Sequence, residues 1–120
     1  MKSLLVHLTS GTEKPTQAAL ALLVAATAAK EGIQVNVFVA GDGVSILRTS
    51  TIEVAKGIGT GEIKEHLDVL KSQGAGLWAS GQSSTARGIS PEDLKALGFT
   101  ASPPSKLIDL TFDADRVLVY

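Results

Sequence analysis

The sequence predicts an α/β fold: a three-layer α/β/α sandwich around a mostly parallel sheet of about five strands. Short apolar runs alternate along the whole chain with segments of helical pattern. The runs are rich in Val, Ile and Leu and show little polar alternation, as expected for strands that are covered on both faces. The chain has 120 residues, 44% of them hydrophobic and only 4% aromatic. We therefore expect one domain, residues 1–120, with an aliphatic core.

The first third of the chain predicts a strand followed by a long helix. The apolar run from Lys2 to Leu8 is the first strand. The helix is expected to begin near Pro15, with Thr12 or Thr16 as its cap, and to end near Lys30 before a glycine.

The middle of the chain predicts two further strands. Ile33–Ala40 is the second strand, and Arg48–Lys56 has no clear period. Gly57–Gly61 has the spacing of neither a dinucleotide fingerprint nor a P-loop, so we expect a flexible loop that enters a helix. That helix is amphipathic and ends near Gly74, and Ala75–Ala79 is a buried central strand.

The last third predicts two helices and a closing strand. Ser90 is a helix cap followed by Pro91 at the first helical position, and this helix stops by Gly98. Lys106–Phe112 is the last helix, and Arg116–Tyr120 is the closing strand.

The segment Ala18–Ala29 is apolar around its whole circumference except for Thr27. A spanning helix needs about 20 such residues, so we expect no membrane segment and a cytoplasmic protein. A helix without a polar face must be covered on both sides. We expect a neighbouring subunit to cover it in a homo-oligomer.

Charge and cysteine content exclude several classes of function. The net charge is −1 and the pI is about 6.1, which gives no basic field for nucleic acid. There are no cysteines, so disulfides and thiolate metal sites are excluded. The two histidines, His7 and His66, are expected to be a core and a solvated side chain respectively. We expect no metal and no cofactor.

The stretch Gly74–Ile89 joins the buried central strand to a turn of small polar residues. In an open α/β sheet, ligands bind outside the carboxyl ends of the strands, where loops far apart in sequence meet. The strand ends predict a ligand pocket formed by Ser10, Gly11, Asp42, Gly43, Ser80, Gln82 and Ser83. We expect a small-molecule or anionic ligand there.

Three motifs together resemble the DsrE/DsrF-like family of small α/β proteins. They are the loop Ser10–Pro15, the loop Val39–Val44, and an apolar strand followed by the triplet Arg87–Ile89. In that family a persulfide-carrying cysteine stands seven residues before the arginine of the triplet, and here that residue is Ser80. The resemblance implies the sandwich fold and a homo-oligomer that is a trimer or a multiple of it.

Three functions follow from a serine at this position. A hydroxyl cannot hold a persulfide, so the first is a binding protein that keeps the family's pocket without sulfur transfer. The second is a sulfurtransferase, if Ser80 stands where the natural protein has cysteine. The third is a hydrolase that uses Ser80 with His7 and Asp42, although the sequence has no Gly-x-Ser-x-Gly elbow. Whether the protein is an enzyme is left open.

Overall fold

A computed structural model of the protein describes all residues, 1–120. The strands are β1 Ser3–Leu8, β2 Gln34–Val39, β3 Lys56–Gly57, β4 Gly61–Glu62, β5 Gly76–Ser80, β6 Thr100–Ser102 and β7 Arg116–Val119. The helices are α1 Pro15–Lys30, α2 Thr49–Ile52, α3 Ile63–Ser72, α4 Gly81–Ala86, α5 Pro91–Leu97 and α6 Pro104–Asp113. A 3-10 helix spans Gly41–Ile46.

Five of the strands form one sheet in the order β6-β5-β2-β1-β7. Every neighbouring pair in this sheet is parallel. Helices cover both faces, so the predicted α/β class and the parallel sheet of five strands are confirmed. Strands β3 and β4 form a separate antiparallel hairpin.

The two faces of the sheet bury different apolar clusters. The larger cluster lies under α1 and α3 and contains Val6 and Val37. The smaller cluster consists of Leu5, Phe38 and Leu110, the last of which belongs to α6. Successive side chains of a strand point to opposite faces, which places neighbours such as Leu5 and Val6 in different clusters. This explains why the strands lack polar alternation.

Helix α1 is covered in large part by its own chain. Eight of its residues are buried, and it packs against α3 and the β3–β4 hairpin. A Cβ atom at Gly57 of the hairpin would lie 2.9 Å from the Cα atom of Thr16, which shows how closely the two elements approach. The chain itself thus covers much of α1, while Leu20 is 38% exposed, and the expectation that a neighbouring subunit completes this cover stays a prediction.

The predicted cap of α1 is wrong. The N-cap residue is Lys14, and no side chain caps the helix. The hydroxyl of Thr16 instead accepts the backbone N–H of Ile58 at 3.0 Å. The hydroxyl of Thr12 lies 3.1 Å from that of Ser45. Thr16 thus connects α1 to the β3–β4 hairpin, and Thr12 connects the loop before α1 to the 3-10 helix.

The segment expected to be a flexible loop forms the β3–β4 hairpin. Gly59 and Gly61 have φ angles of 74° and 84°, a region that favours glycine. His66 was expected to be solvated, but it is only 9% exposed and its Nε2 atom lies 2.7 Å from the carbonyl oxygen of Thr60. The reason is that the hairpin folds back over the start of α3.

Helix α5 forms as predicted. The hydroxyl of Ser90 accepts the backbone N–H of Asp93 at 3.0 Å, Pro91 is the first helical residue, and Gly98 ends the helix with φ of 83°. The short strand β6 follows, in a segment for which the sequence predicted no strand.

The helices are of modest length. The longest is α1, with 16 residues, and α3 and α6 have 10 each. No helix has the combination of length and apolar character that crossing a membrane requires.

Candidate functional site at the carboxyl ends of the strands

Three loops at the carboxyl ends of β1, β2 and β5 lie against one another. A Cβ atom at Gly11 would overlap the carbonyl oxygen of Asp42, and one at Gly43 would lie 2.7 Å from the carbonyl oxygen of Leu8. The backbone N–H of Gly41 donates to the hydroxyl of Ser83 at 2.9 Å. The parallel topology thus brings together loops that are distant in sequence.

Ser80 is the last residue of β5 and the N-cap of α4. Its Oγ atom accepts the backbone N–H of Ser83 at 3.1 Å. The residue is partly exposed. Its hydroxyl therefore serves the start of the helix, where a capping oxygen contributes about 1 kcal/mol of stability.

Arg87 spans from α4 to the loop after β2. Its Nη2 atom lies 2.7 Å from Oδ1 of Asp42, and the two side chains are 35% and 65% exposed. The carbonyl oxygen of Arg87 in turn accepts a hydrogen bond from the guanidinium of Arg48. An ion pair this exposed contributes at most about 1 kcal/mol. In the structure it holds the Arg87 guanidinium beside the loop after β2.

The sequence-based site omitted Arg87 as well as Arg48 and Ser45. Ser45 accepts the backbone N–H of Thr12 at 2.9 Å and so joins the 3-10 helix to the loop after β1. Arg87 had a signal, because it opens the Arg-Gly-Ile triplet. Arg48 and Ser45 had none, since their contacts lie 33 residues or more away in sequence.

The polar groups of the loop after β1 are hydrogen-bonded to nearby residues of the chain. Ser10 is buried, and its hydroxyl accepts a hydrogen bond from the amide of Gln17 at 3.0 Å. The backbone N–H of Gly11 donates to the carboxylate of Glu13 at 2.7 Å. The Ser10 hydroxyl is thus engaged by α1, and the Gly11 N–H is engaged within the loop. Gln82, by contrast, is exposed.

The three residues of the possible hydrolase do not form a relay. His7 pairs in register with Phe38, which pairs with Trp78, so His7 lies two strands and two residues from Ser80. With strands about 4.8 Å apart, this separation is on the order of 10 Å. The Asp42 carboxylate binds Arg87, and burial lowers the pKa of His7.

The predicted site residues do not line the cavities of the surface. None of five surface cavities is lined by Ser80, Gln82 or Ser83. One cavity of about 500 Å³ begins at Gly81 and extends between α4 and α5, away from the other two loops. The three loops pack directly on one another where these residues meet, and a ligand pocket formed by them stays a prediction. No group of three or more His, Asp or Glu side chains is placed to hold a metal ion.

A family model matches almost the whole chain. The model of the DsrE/DsrF-like family matches residues 2–120. The chain belongs to the DsrE/DsrF-like family. No curated protein matches the chain.

Several solved structures share the DsrE/DsrF-like fold of this chain. The YchN protein from E. coli is similar over 100% of this chain and 99% of its own, with a TM-score of 0.76 and 19% identity. BT1422 from Bacteroides thetaiotaomicron, a conserved protein of unknown function, is similar over 99% of this chain and 95% of its own, with a TM-score of 0.74 and 13% identity. MTH1491 from Methanobacterium thermoautotrophicum, also of unknown function, covers 100% of both chains, with a TM-score of 0.72 and 15% identity. At these identities the likeness establishes the fold.

Proposed function

We propose that this protein is a member of the DsrE/DsrF-like family that binds an anionic group and does not carry sulfur. The binding surface is the loop cluster, defined as Ser10–Gly11, Asp42–Gly43, Ser80–Ser83 and Arg87. The anionic group belongs either to a small molecule or to a partner protein. The observation that carries the proposal is that the loop cluster holds both an arginine that is ion-paired with Asp42 and a serine that cannot act as a thiol.

The absence of a nucleophile supports binding over transfer. The chain contains no cysteine, so no residue can hold a persulfide. The Ser80 hydroxyl accepts a helix N–H, and no base lies within hydrogen-bond distance of it. A serine needs an adjacent base to become a nucleophile.

The preorganised Arg87 supports an anionic ligand. A guanidinium presents five N–H donors in a planar fork that fits carboxylate and phosphate groups. Asp42 occupies Nη2 of Arg87, and the side chains of Arg87 and Asp42 are 35% and 65% exposed, so the pair is accessible from solvent. A bound anion would meet an arginine whose side-chain entropy is already reduced, which lowers the cost of binding.

A titration followed by amide NMR tests this proposal. Inorganic phosphate, glutathione and AMP are added separately to the ¹⁵N-labelled protein. We expect at least one probe to shift the amide signals of residues 10–13, 41–45 and 80–88. Arg87→Gln should weaken the binding at least tenfold, because the cation is lost while the size of the side chain is nearly kept.

Arg116→Gln is the matched control, since Arg116 is an exposed arginine on β7. It should leave the titration unchanged. Shifts that are absent for every probe, that lie outside the loop cluster, or that persist in Arg87→Gln would contradict the proposal.

We also propose that the protein forms a homo-oligomer, a trimer or a multiple of three, as its likeness to the family implies. Several large apolar side chains exposed on the single chain support self-association, among them Ile108, Phe112 and Val119. Sedimentation equilibrium measures the mass of the assembly. A monomer at 100 μM would contradict this proposal.

A further inference from the structure

The outer strand β7 leaves one side of the sheet open. All four of its residues are exposed, and Val117, Leu118 and Val119 are 38%, 40% and 65% exposed. An exposed apolar outer strand is a template for pairing with another strand. Chains that stay monomeric protect such strands with proline, charge or a covering element.

The opposite outer strand, β6, has that protection. It is three residues long and is followed by Pro103 and Pro104, which have no backbone N–H to donate. Strand β7 contains no proline, and its one charged residue is Arg116 at its start. The difference between the two outer strands points to β7 as the one that takes a partner.

The free hydrogen-bonding groups of β7 can be assigned to particular residues. The backbone groups of Tyr120 point towards β1. Its N–H donates to the carbonyl of His7 at 2.9 Å, and its carbonyl accepts from the N–H of Thr9 at 2.8 Å. In a parallel pair the N–H and C=O of one residue point to the same side, and successive residues alternate. The N–H and C=O groups of Leu118 therefore also point towards β1, whereas those of Val117 and Val119 point away from it.

We infer that β7 pairs antiparallel with β7 of a second copy of this chain, about a two-fold axis through Leu118. In this register Val117 of one copy lies opposite Val119 of the other, and vice versa. Residues that lie opposite in this way exchange both of their backbone hydrogen bonds. The four outward groups of each strand are then all satisfied, and the two sheets join into one of ten strands.

The side chains also fit this register. A two-fold axis requires a surface that is complementary to itself, which an antiparallel strand pair provides. Leu118 meets Leu118 of the second copy at the close, non-hydrogen-bonded position, and the valines pair across the strands on the other face. Arg116 lies opposite Tyr120 of the second copy, so no like charges face each other directly.

The apolar area is sufficient to form the centre of such an interface. At the exposures given above, Val117, Leu118 and Val119, together with Leu20 of α1 at 38%, offer on the order of 300 Å² per copy, against roughly 800 Å² per partner in a standard interface. Leu20 adjoins the end of the strand, because it and Tyr120 line one open cavity. The polar rim and the strand backbone supply the remaining area.

This pairing goes beyond the proposed function, since β7 lies outside the loop cluster. It predicts an assembly with an even number of chains. If trimers also form, the β7 pairing joins two of them into an assembly of six chains. Without trimers, the pairing gives a dimer. The test therefore measures the change in mass when the strand pairing is removed.

Sedimentation equilibrium is carried out on the wild type and on two variants. Val119→Pro removes one outward N–H without removing a bond to β1, and Leu118→Lys places two like charges at the two-fold axis. We expect both to halve the mass of the assembly. Ile58→Lys is the control, since Ile58 is 90% exposed on the β3–β4 hairpin, and it should keep the full mass.

Hydrogen exchange gives a second readout that does not depend on a variant. The amides of Val117 and Val119 should be protected in the assembly and lose this protection on dilution, while those of Leu118 and Tyr120 remain protected by β1. A wild-type mass of one or of an odd number of chains would overturn the inference. So would an unchanged mass in folded Val119→Pro and Leu118→Lys, or unprotected Val117 and Val119 amides in the assembly.

Discussion

At the scale of single residues, Ser80 shows how one atom decides between two kinds of chemistry. The structure places its side-chain oxygen within 3.1 Å of the backbone N–H of Ser83. An oxygen in this position caps a helix, whereas a sulfur would be a thiolate that the same N–H stabilises. The local geometry is thus compatible with serine or cysteine at residue 80. The identity of the side chain alone decides whether the position caps a helix or carries a reactive sulfur.

Ser80→Cys should therefore produce a thiol with a lowered pKa. The N–H of Ser83 favours the thiolate, and the partial exposure of residue 80 limits the opposing effect of desolvation. We expect the midpoint of the alkylation rate against pH to lie below the value of about 8.5 for a free thiol. Ser50→Cys, at an exposed position, provides the reference. Equal midpoints for the two variants would show that the surroundings of residue 80 do not stabilise an anion.

The sequence located Ser80 and Asp42 at strand ends but could not show what their side chains contact. The position follows from hydrophobic patterns that are local in the chain. The contact between Asp42 and Arg87 joins residues 45 apart and depends on how the loops pack.

At the scale of elements, α5 was predictable because all its signals are local. Ser90, Pro91 and Gly98 each act within a few residues of the helix they define. Strand β6 has only three residues, too few to show a period. The β3–β4 hairpin depends on contacts with α1, such as that between Gly57 and Thr16, which no local pattern encodes.

The capping role of Ser90 can be measured. Ser90→Ala should lower the free energy of unfolding by about 1 kcal/mol, because the N–H of Asp93 loses its acceptor at the start of α5. Urea denaturation gives this difference directly. Ser50→Ala is the control, since Ser50 is exposed in α2, and it should change the stability by less than about 0.5 kcal/mol. Equal effects of the two substitutions would show that the cap contributes nothing.

At the scale of the whole molecule, the sheet unites segments from both ends of the chain. Strand β1 lies between β2 and the final strand β7, an order that the sequence could not supply because pairing partners are not encoded in local patterns. As a result His7, a residue of β1, has a neighbouring strand on each side. It is in register with Phe38 of β2 and with Val119 of β7. Its ring contacts that of Phe38 edge to face at a centroid distance of 6.0 Å.

The burial of His7 should make the stability of the whole chain depend on pH. Burial lowers the pKa of His7 below its ordinary value, and its Nε2 atom has no hydrogen-bond partner. The unfolded chain, in which the histidine pKa is about 6.5, therefore takes up a proton at a higher pH than the folded chain does. The contribution of neutral His7 is fully present above about pH 6.5 and is lost as the pH falls through the lower pKa of the folded state.

Urea denaturation between pH 8 and pH 5 measures this dependence, with His7→Leu as the variant that cannot titrate. We expect the free energy of unfolding of the wild type to fall more steeply below pH 6.5 than that of His7→Leu, while the slopes of the two proteins agree between pH 7 and pH 8. The remaining slope in His7→Leu reports the other titrating groups. Parallel curves over the whole range would mean that His7 is protonated as readily in the folded chain as in the unfolded one, and that the sheet face beside β7 is open to water.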